Sequence, residues 1–277
     1  MSTKAQIKQS FKRDGTEYNQ IEYSCNCGWL DFTHLYPGSD NDPHKGAVNL
    51  WNQIKNGDSQ PPAKAYYCGG ADQVLGQYRT GVRMGCRHDN LARFKDTTPW
   101  LGNKERTGFR VIFKMDMGAN FYKFRPRILR QQEYLVRYGL TIEQKKRVAI
   151  SIFMEISKRF EDLQGYVPLS RDSSFSKEDL VSNIIGFYIA IGHVRYEDVR
   201  SICGIVPPEI AELLWPEDGL GSTNNKNYRF EPFFEQDKIS GLENNPCAGE
   251  PIKFPSIFQT IKPIDLGILH MHMPNWS

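Results

Sequence analysis

The chain lacks the short signatures by which common enzyme classes are recognised. It contains no H-E-x-x-H, no glycine-rich phosphate loop, no G-x-G-x-x-G after a strand pattern and no G-x-S-x-G. The usual metalloprotease, nucleotide-binding and serine-hydrolase motifs are therefore excluded. No two cysteines have the C-x2-C spacing of a zinc ribbon or finger. We predict neither a bound metal ion nor a cofactor.

The chain also lacks long apolar runs. No stretch approaches the roughly 18 apolar residues that a membrane-spanning helix needs. The N-terminal MSTKAQIKQSFKRDG is polar and has no apolar stretch typical of a secretory signal peptide. We expect a protein that is made in the cytoplasm. If it acts in the cell envelope, it would reach the periplasm of a target cell through a machine that needs no such signal.

The composition is that of a folded protein with an uneven charge distribution. Of 277 residues, 39% are hydrophobic and 12% aromatic, which supports an apolar core. Residues 104–147 hold twelve Lys/Arg and four Asp/Glu, whereas residues 160–277 hold nine and seventeen. The basic middle could attract an anionic cell-wall polymer or peptide, or dock on the acidic part of the chain. Nucleic acid is disfavoured, because the aromatic and basic segment at 120–127 has no matching fold motif.

The six cysteines are even in number and allow two interpretations. They are either buried free thiols of a cytosolic protein or disulfides formed in an oxidising compartment. Loop-like, Gly- and Pro-rich surroundings of four of the six favour disulfides. The cysteines are Cys25, Cys27, Cys68, Cys86, Cys203 and Cys247.

Hydrophobic periodicity predicts an α+β fold, with a helix-dominated single domain and a small antiparallel sheet. A flexible lead at 1–16 is followed by one globular domain at 17–277, in which 216–255 is rich in loops. Thr141 and Gln144 form the sequence pattern of a capping box, which marks the clearest helix start. Strands are predicted at 17–24, 78–84 and 109–115, the last from the alternation of apolar and basic residues in FRVIFKM. Helices are predicted at 47–54, 119–138, 141–165, 176–191 and 208–214.

The segment CNCGWLDFTH, residues 25–34, places polar groups among large apolar ones. Asp31 and His34 are three residues apart, so one turn would bring them together, and an Asp that orients a His sets up general base catalysis. Cys27 beside an imidazolium would be a candidate nucleophile. The alternative is a structural turn, in which Asp31 is a cap and His34 a hydrogen-bonded partner.

Glu155 is a candidate general acid on the helix that Thr141 opens. It lies about 100° from the centre of the apolar stripe, at the edge of the buried face. Half-burial of that kind raises the pKa of a carboxyl group and suits a general acid. The alternative is a surface ion pair with Arg159, one helical turn further on.

A second polar segment, FSKEDLVSN at residues 175–183, begins the next helix. Negative charge is favoured in the first turn of a helix, so its acidic residues can be purely structural. They can also support substrate. The residues predicted for this supporting role are Glu178, Asp179, Ser182, Asn183 and, from a distant polar loop, His88.

The two segments resemble the motifs of an uncharacterised bacterial family catalogued as a domain of unknown function. Members carry Cys-Gly-x-Ile/Leu-Asp-x-x-His and Phe-Ser-x-Glu-Asp-Leu-x-Ser-Asn-x-x-Gly, which match residues 27–34 and 175–186 here. They also carry a His-Glu pair on a helix, where this chain has Met154-Glu155. The missing His argues against a metal site that needs it. The resemblance covers residues 23–190 and implies a site but no particular reaction.

These observations lead to three hypotheses. The first is a bacterial hydrolase of a cell-envelope polymer, peptidoglycan above all, delivered as an antibacterial effector with a cognate immunity or delivery protein. In it, Glu155 is the general acid and His34, oriented by Asp31, activates water or holds substrate. The second is a cysteine amidase or peptidase, with Cys27 as nucleophile and His34 or His88 as base. The third is a binding or scaffold protein without enzymatic activity.

Overall fold

The computed structural model describes residues 2–13, 15–35, 42–68, 86–91, 107–118, 127–166, 174–249, 252–273 and 275–276. These ranges confirm the predicted α+β fold with a single domain and small antiparallel sheets. The helices are α1 (Ala47–Lys55), α2 (Ile142–Tyr166), α3 (Asp179–Ala190), α4 (Val199–Cys203), α5 (Pro208–Leu214) and α6 (Gln236–Ser240). None of these helices is long and apolar enough to cross a membrane.

The strands of the described ranges form hairpins and three-stranded sheets. They are β1 (Ser10–Arg13), β2 (Thr16–Asn19), β3 (Ile21–Ser24), β4 (Gly28–Asp31), β5 (Lys64–Cys68), β6 (Cys86–Leu91), β7 (Gly108–Gly118), β8 (Arg127–Arg137), β9 (His270–His272) and β10 (Asn275–Trp276). β1 pairs with β2 and β3 with β4, each in antiparallel register. A long hairpin of β7 and β8 carries β9 at its edge, and β5 pairs antiparallel with β6 and parallel with β10.

Helix α2 organises the main core. The Thr141 N–H donates to Gln144 Oε1 at 2.9 Å, and the Gln144 N–H donates to Thr141 Oγ1 at 3.2 Å. The predicted capping box is thus present and satisfies two N–H groups that the first turn leaves without helical partners. The helix packs against β7, β8, α1 and α3. Its predicted apolar stripe is buried at Val148, Ile152 and Ile156.

The predicted helix at 119–138 is wrong over its second part. Residues 127–137 form β8, which pairs with β7 residue for residue from Gly118↔Arg127 to Gly108↔Arg137. The side chains of Tyr134 and Val136 are buried in the main core. The ladder to β7 and this burial outweigh the local helix preference of the Leu, Arg, Gln and Glu residues in the segment. Residues 119–126 and the predicted strand at 78–84 lie outside the described ranges.

The N-terminal segment differs from the flexible lead predicted for residues 1–16. Residues Lys4–Ile7 form a 3-10 turn, and Ile7 is buried in a second apolar cluster with Ile21. β1 then completes a hairpin with β2. The Ser2 hydroxyl donates to Glu178 Oε1 at 2.5 Å. One buried isoleucine and these backbone and side-chain bonds order a segment whose composition is mostly polar.

Two disulfides join the segment around β4 to the C-terminal half of the chain. Cys25 is bonded to Cys247 and Cys27 to Cys203. The prediction of disulfides is therefore confirmed for four of the six cysteines. Each bridge closes a loop of more than 170 residues, and a cross-link across a long loop removes much conformational freedom from the unfolded chain.

Replacing Cys27 and Cys203 together by serine is expected to lower the free energy of unfolding by about 2–4 kcal/mol. Urea denaturation of the oxidised proteins measures the difference. In a reducing buffer, wild type and variant both lose their disulfides, so their unfolding curves should then coincide. Equal stability of the two oxidised proteins would contradict a stabilising role for this bridge.

Candidate functional site

The two polar segments predicted from the sequence meet in the structure. The Asp31 N–H, at the end of β4, donates to Ser182 Oγ of α3 at 2.9 Å. Three residues later, His34 Nδ1 lies 3.6 Å from Asp179 Oδ1 in the first turn of α3. Segments almost 150 residues apart in the chain thus build one cluster around His34.

Asp31 holds the turn that presents His34. Its Oδ1 accepts hydrogen bonds from the Thr33 N–H at 2.7 Å, the Thr33 hydroxyl at 2.5 Å and the His34 N–H at 3.3 Å. Its Oδ2 lies 3.7 Å from His34 Nδ1. One oxygen of Asp31 therefore caps the turn, and the other faces the imidazole.

Two glycines permit the close approach of backbone to backbone at the site. A Cβ on Gly186 of α3 would lie 3.1 Å from the Leu35 carbonyl oxygen and 3.2 Å from that of His34. Gly28 has a φ of +64°, and a Cβ there would lie 2.4 Å from the Phe233 carbonyl oxygen. Larger residues at either position would displace the turn or the strand that carries Asp31 and His34.

Glu161 reaches the same cluster from the last turns of α2. Its side chain is buried, and Oε2 accepts a hydrogen bond from the Phe175 N–H at 2.8 Å. Phe175 has a φ of +52°, and no other non-glycine residue in the described ranges has a positive φ. Strained backbone of this kind persists where surrounding structure holds it, and it is concentrated at functional sites.

Glu178 and Asp179 bring two more buried carboxyl groups. Glu178 is fully buried, and within the described part of the chain its Oε2 has no hydrogen-bond partner. Asp179 Oδ2 accepts a hydrogen bond from the Ser176 N–H at 2.9 Å. Its other oxygen, Oδ1, faces His34. The sequence had suggested that residues 175–183 mainly support residues 25–34, whereas Asp179 contacts the imidazole itself.

The carboxyl groups and the imidazole shift one another's pKa values. Burial raises the pKa of Glu161 to about 7 and that of Glu178 to about 8, and neighbouring negative charge adds to both. The pKa of Asp179 is raised for the same reasons. Partial desolvation of the His34 ring by the surrounding protein opposes its protonation, but the four neighbouring carboxyl groups outweigh this effect and raise the pKa of His34 above the usual 6.5. The cluster therefore exchanges protons near neutral pH.

A cavity of about 330 Å³ opens beside this cluster. His34, Asp31, Asp179 and Glu161 line it, and the His34 side chain is 46% exposed. A molecule in the cavity would thus meet an accessible imidazole and carboxyl groups together. Further polar side chains in the wall are Gln6, Gln20, Gln164, Ser176 and Asn183.

Glu155, predicted as the general acid, belongs to a different cluster. Its Oε1 lies 2.7 Å from His272 Nε2 and 2.8 Å from an Arg159 nitrogen, and its Oε2 accepts a bond from the Tyr134 hydroxyl at 3.0 Å. Burial raises the pKa of Glu155, but the contacts with His272, Arg159 and Tyr134 lower it more, so the net shift is downward. The expectation of a raised pKa is wrong, because β9 supplies a partner that the sequence did not reveal.

Cys27 and His88 do not contribute a described side chain to the cavity. Cys27 is bonded to Cys203, so it has no thiolate to act as a nucleophile, and that prediction is wrong. His88 lies on β6, and its side chain is outside the described part of the structure. Of the predicted supporting residues, Asp179 and Asn183 line the cavity and Ser182 joins the two segments.

The sequence interpretation missed Glu161. A row of buried residues beside the apolar stripe of α2 carries it: Phe153, Ser157, Glu161 and Gln164 recur at i, i+4, i+8 and i+11, and all four are buried. This row lies roughly 100° around the helix from the stripe and becomes polar towards the end of the helix. A charged residue in a row that begins with Phe153 was the signal that could have identified Glu161.

Comparisons with models of protein families, with curated proteins and with solved structures find no match for this chain. The resemblance stated from the two motifs stays a prediction. Among the described residues, no group of three or more His, Cys, Asp or Glu side chains is placed to hold a metal ion. Function therefore has to be inferred from the cluster around His34.

Proposed function

We propose that this protein is a hydrolase that cleaves glycosidic bonds of a cell-envelope polymer, peptidoglycan above all, by general acid–base catalysis. One observation carries the proposal. An accessible imidazole stands between the carboxyl groups of Asp31 and Asp179, and the same cavity is lined by Glu161. Glu161 has a pKa of about 7, and a carboxylic acid that stays protonated near neutral pH is suited to donate to a leaving oxygen.

Glu161 takes the role first assigned to Glu155. In the proposed reaction, Glu161 gives its proton to the glycosidic oxygen as the bond to the anomeric carbon breaks. His34 takes a proton from the attacking water, whose oxygen forms the new bond, and Asp31 and Asp179 stabilise the imidazolium that results. The excess proton on His34 then returns to Glu161, so the net reaction adds one water.

The coupling of His34 and Glu161 makes this assignment consistent with their overlapping pKa values. Each group's charge affects the other's pKa. A single proton on the pair can therefore reside on Glu161 and leave the imidazole neutral, which is the state that the reaction needs. Nδ1 of His34 is turned to the carboxyl groups, so Nε2 is the nitrogen left for water.

The protonated carboxyl group of Glu161 favours the glycan strand over the peptide as the site of cleavage, because a carboxylic acid protonates the leaving oxygen in glycoside hydrolysis. The sugar rings of peptidoglycan offer hydroxyl and amide groups to the polar side chains of the cavity wall. Disulfides persist in oxidising compartments, which supports action outside the cytosol. Delivery as an antibacterial effector, with an immunity or delivery protein as partner, is part of the proposal.

Digestion of purified peptidoglycan sacculi tests the proposal. The oxidised wild-type protein is expected to release soluble fragments with new reducing ends, which borohydride labelling and mass spectrometry detect. Fragments with new amino termini instead would identify an amidase or peptidase and contradict glycosidic cleavage. Failure to release any fragment across the neutral pH range would overturn the proposed activity.

Glu155→Gln is expected to leave the rate of fragment release unchanged, because Glu155 does not line the cavity. The substitution removes the negative charge that His272 and Arg159 contact, so the free energy of unfolding should fall by about 1 kcal/mol. Fragment release and thermal unfolding measured on the same preparation separate the two effects. Loss of activity without loss of stability would restore Glu155 as the acid.

A scaffold without enzymatic activity is the second candidate, and a buried ion pair favours it. Lys177 Nζ lies 2.6 Å from Glu235 Oε1, which also accepts a hydrogen bond from Trp29 Nε1 at 3.3 Å. Glu235 thus ties the two polar segments together. If the protein is only a scaffold, Asp31→Ala lowers the melting temperature, and neither the wild type nor this variant releases peptidoglycan fragments.

A further inference from the structure

A second cavity, also about 330 Å³, lies at the end of α2. Asp162 and Tyr166 of α2 line one side, and Phe175 and Tyr228 line another. Tyr166 is 84% exposed and Tyr228 is 59% exposed. Large aromatic side chains that converge on one cavity while exposed to solvent are typical of a binding surface, because single exposed rings are normally scattered.

The ring of Tyr228 is held in place from within the fold. Its centroid lies 4.7 Å from that of Phe175, which is buried. The backbone of Phe175 is fixed on both sides, because its N–H donates to Glu161 and its carbonyl oxygen accepts from the Asn227 N–H at 2.8 Å. Phe175, held at its positive φ by these two bonds, thus packs its buried ring against the exposed ring of Tyr228.

The second cavity adjoins the cavity of His34. Ser176 and Glu161 line the first cavity, and their chain neighbours Phe175 and Asp162 line the second. The hydrogen bond from the Phe175 N–H to Glu161 joins the walls of the two cavities. A chain-like substrate with its scissile bond beside Glu161 would place a neighbouring residue near Tyr228.

The rim of the second cavity is polar, and hydrogen bonds join its sides. Lys226 Nζ donates to the carbonyl oxygens of Ser174 at 2.6 Å and Gly221 at 2.8 Å, which joins the two sides of the rim. Asp162 and Thr223 add hydrogen-bonding groups beside the aromatic rings. Apolar ring faces next to hydrogen-bonding side chains match the two kinds of surface on a sugar ring, whose C–H face is apolar and whose edge carries hydroxyl groups.

We infer that this second cavity is a subsite that binds a neutral sugar residue of the glycan adjoining the residue that is cleaved. Tyr228 stacks on the sugar ring, Tyr166 borders it, and Asp162 and Thr223 bind its hydroxyl groups. The inference rests on the proposed function, because it names the part of the substrate that the hydrolytic site would receive.

Binding of the β-1,4-linked tetramer of N-acetylglucosamine, measured by titration calorimetry on the full chain, tests this inference separately from activity. The wild type is expected to bind the tetramer. Tyr228→Ala should weaken binding about tenfold, Tyr166→Ala should weaken it less, and Tyr228→Phe, which keeps the ring, should bind as the wild type does. Leu213→Ala changes an exposed apolar residue outside both cavities and should have no effect.

The results separate failure of the sugar subsite from failure of the hydrolytic function. Equal binding by Tyr228→Ala and wild type overturns the subsite, and so does absence of tetramer binding by a wild-type protein that cleaves sacculi. Tetramer binding that depends on Tyr228, in a protein that releases nothing from sacculi, supports the subsite as a sugar-binding site and contradicts only the hydrolytic function.

Discussion

His34→Ala is expected to lower the rate of fragment release from sacculi by about 10²–10⁴-fold, the usual contribution of a positioned acid or base. The imidazole is the accessible group in a cluster whose other members are largely buried. Its backbone N–H bond to Asp31 does not depend on the side chain, so the turn should survive the substitution. Initial rates at neutral pH, with thermal unfolding as a check on folding, measure the effect.

A matched histidine provides the control. His193 is exposed, and its ring contacts the Thr260 hydroxyl at 3.2 Å away from both cavities. His193→Ala should therefore retain the wild-type rate. A His34→Ala protein that unfolds like the wild type and still releases fragments at the wild-type rate would remove His34 from the reaction.

Glu178→Gln is expected to stabilise the protein at alkaline pH by up to about 4–5 kcal/mol. Burial raises the pKa of Glu178 from 4.5 to about 8 in the folded state, and each unit corresponds to about 1.4 kcal/mol. Below pH 4.5 the group is protonated in both states and has no effect. Between pH 4.5 and 8 the unfolded chain releases the proton while the folded chain retains it, so wild-type stability falls with rising pH.

Glutamine has the shape of the protonated carboxyl group and nothing to release. Its Oε1 can still accept the hydrogen bond from Ser2. The stability difference between Glu178→Gln and wild type should thus be small near pH 4 and grow until pH 8. Denaturant unfolding at several pH values measures it, with the exposed Glu243→Gln as a control whose curve should parallel the wild type. Parallel curves for Glu178→Gln would show that this carboxyl group ionises freely in the folded protein.

Local patterns were sufficient to predict several elements of the fold. The capping box of Thr141 and Gln144 placed the start of α2, since both of its hydrogen bonds lie within four residues. The alternation in FRVIFKM located β7. By contrast, β8 depends on its ladder to β7 and on burial against α2, and neither is encoded within residues 127–137. Long-range pairing of this kind overrides local propensity and cannot be deduced from one segment.

The same contrast between local and long-range contacts explains why only part of the site was predicted. Asp31 and His34 are close in the chain, so their proximity could be deduced from spacing. Their contact with Asp179 depends on how α3 packs against the turn, which Gly186 permits but does not reveal. The expectation of a raised pKa at Glu155 was wrong because contacts with His272, Arg159 and Tyr134 outweigh the effect of burial, and β9 brings His272 from the far end of the sequence. Only the folded chain distinguishes Glu155 from Glu161.

Carbon-13 NMR of the protein labelled at the glutamate side-chain carboxyl carbons measures whether the buried carboxyl groups beside His34 hold protons near neutral pH. Two resonances are expected to titrate with midpoints near 7 and 8 and to disappear in Glu161→Gln and Glu178→Gln respectively. If both resonances titrate near 4.5, as solvated glutamates do, the proposed acid is ionised at neutral pH and the account is wrong.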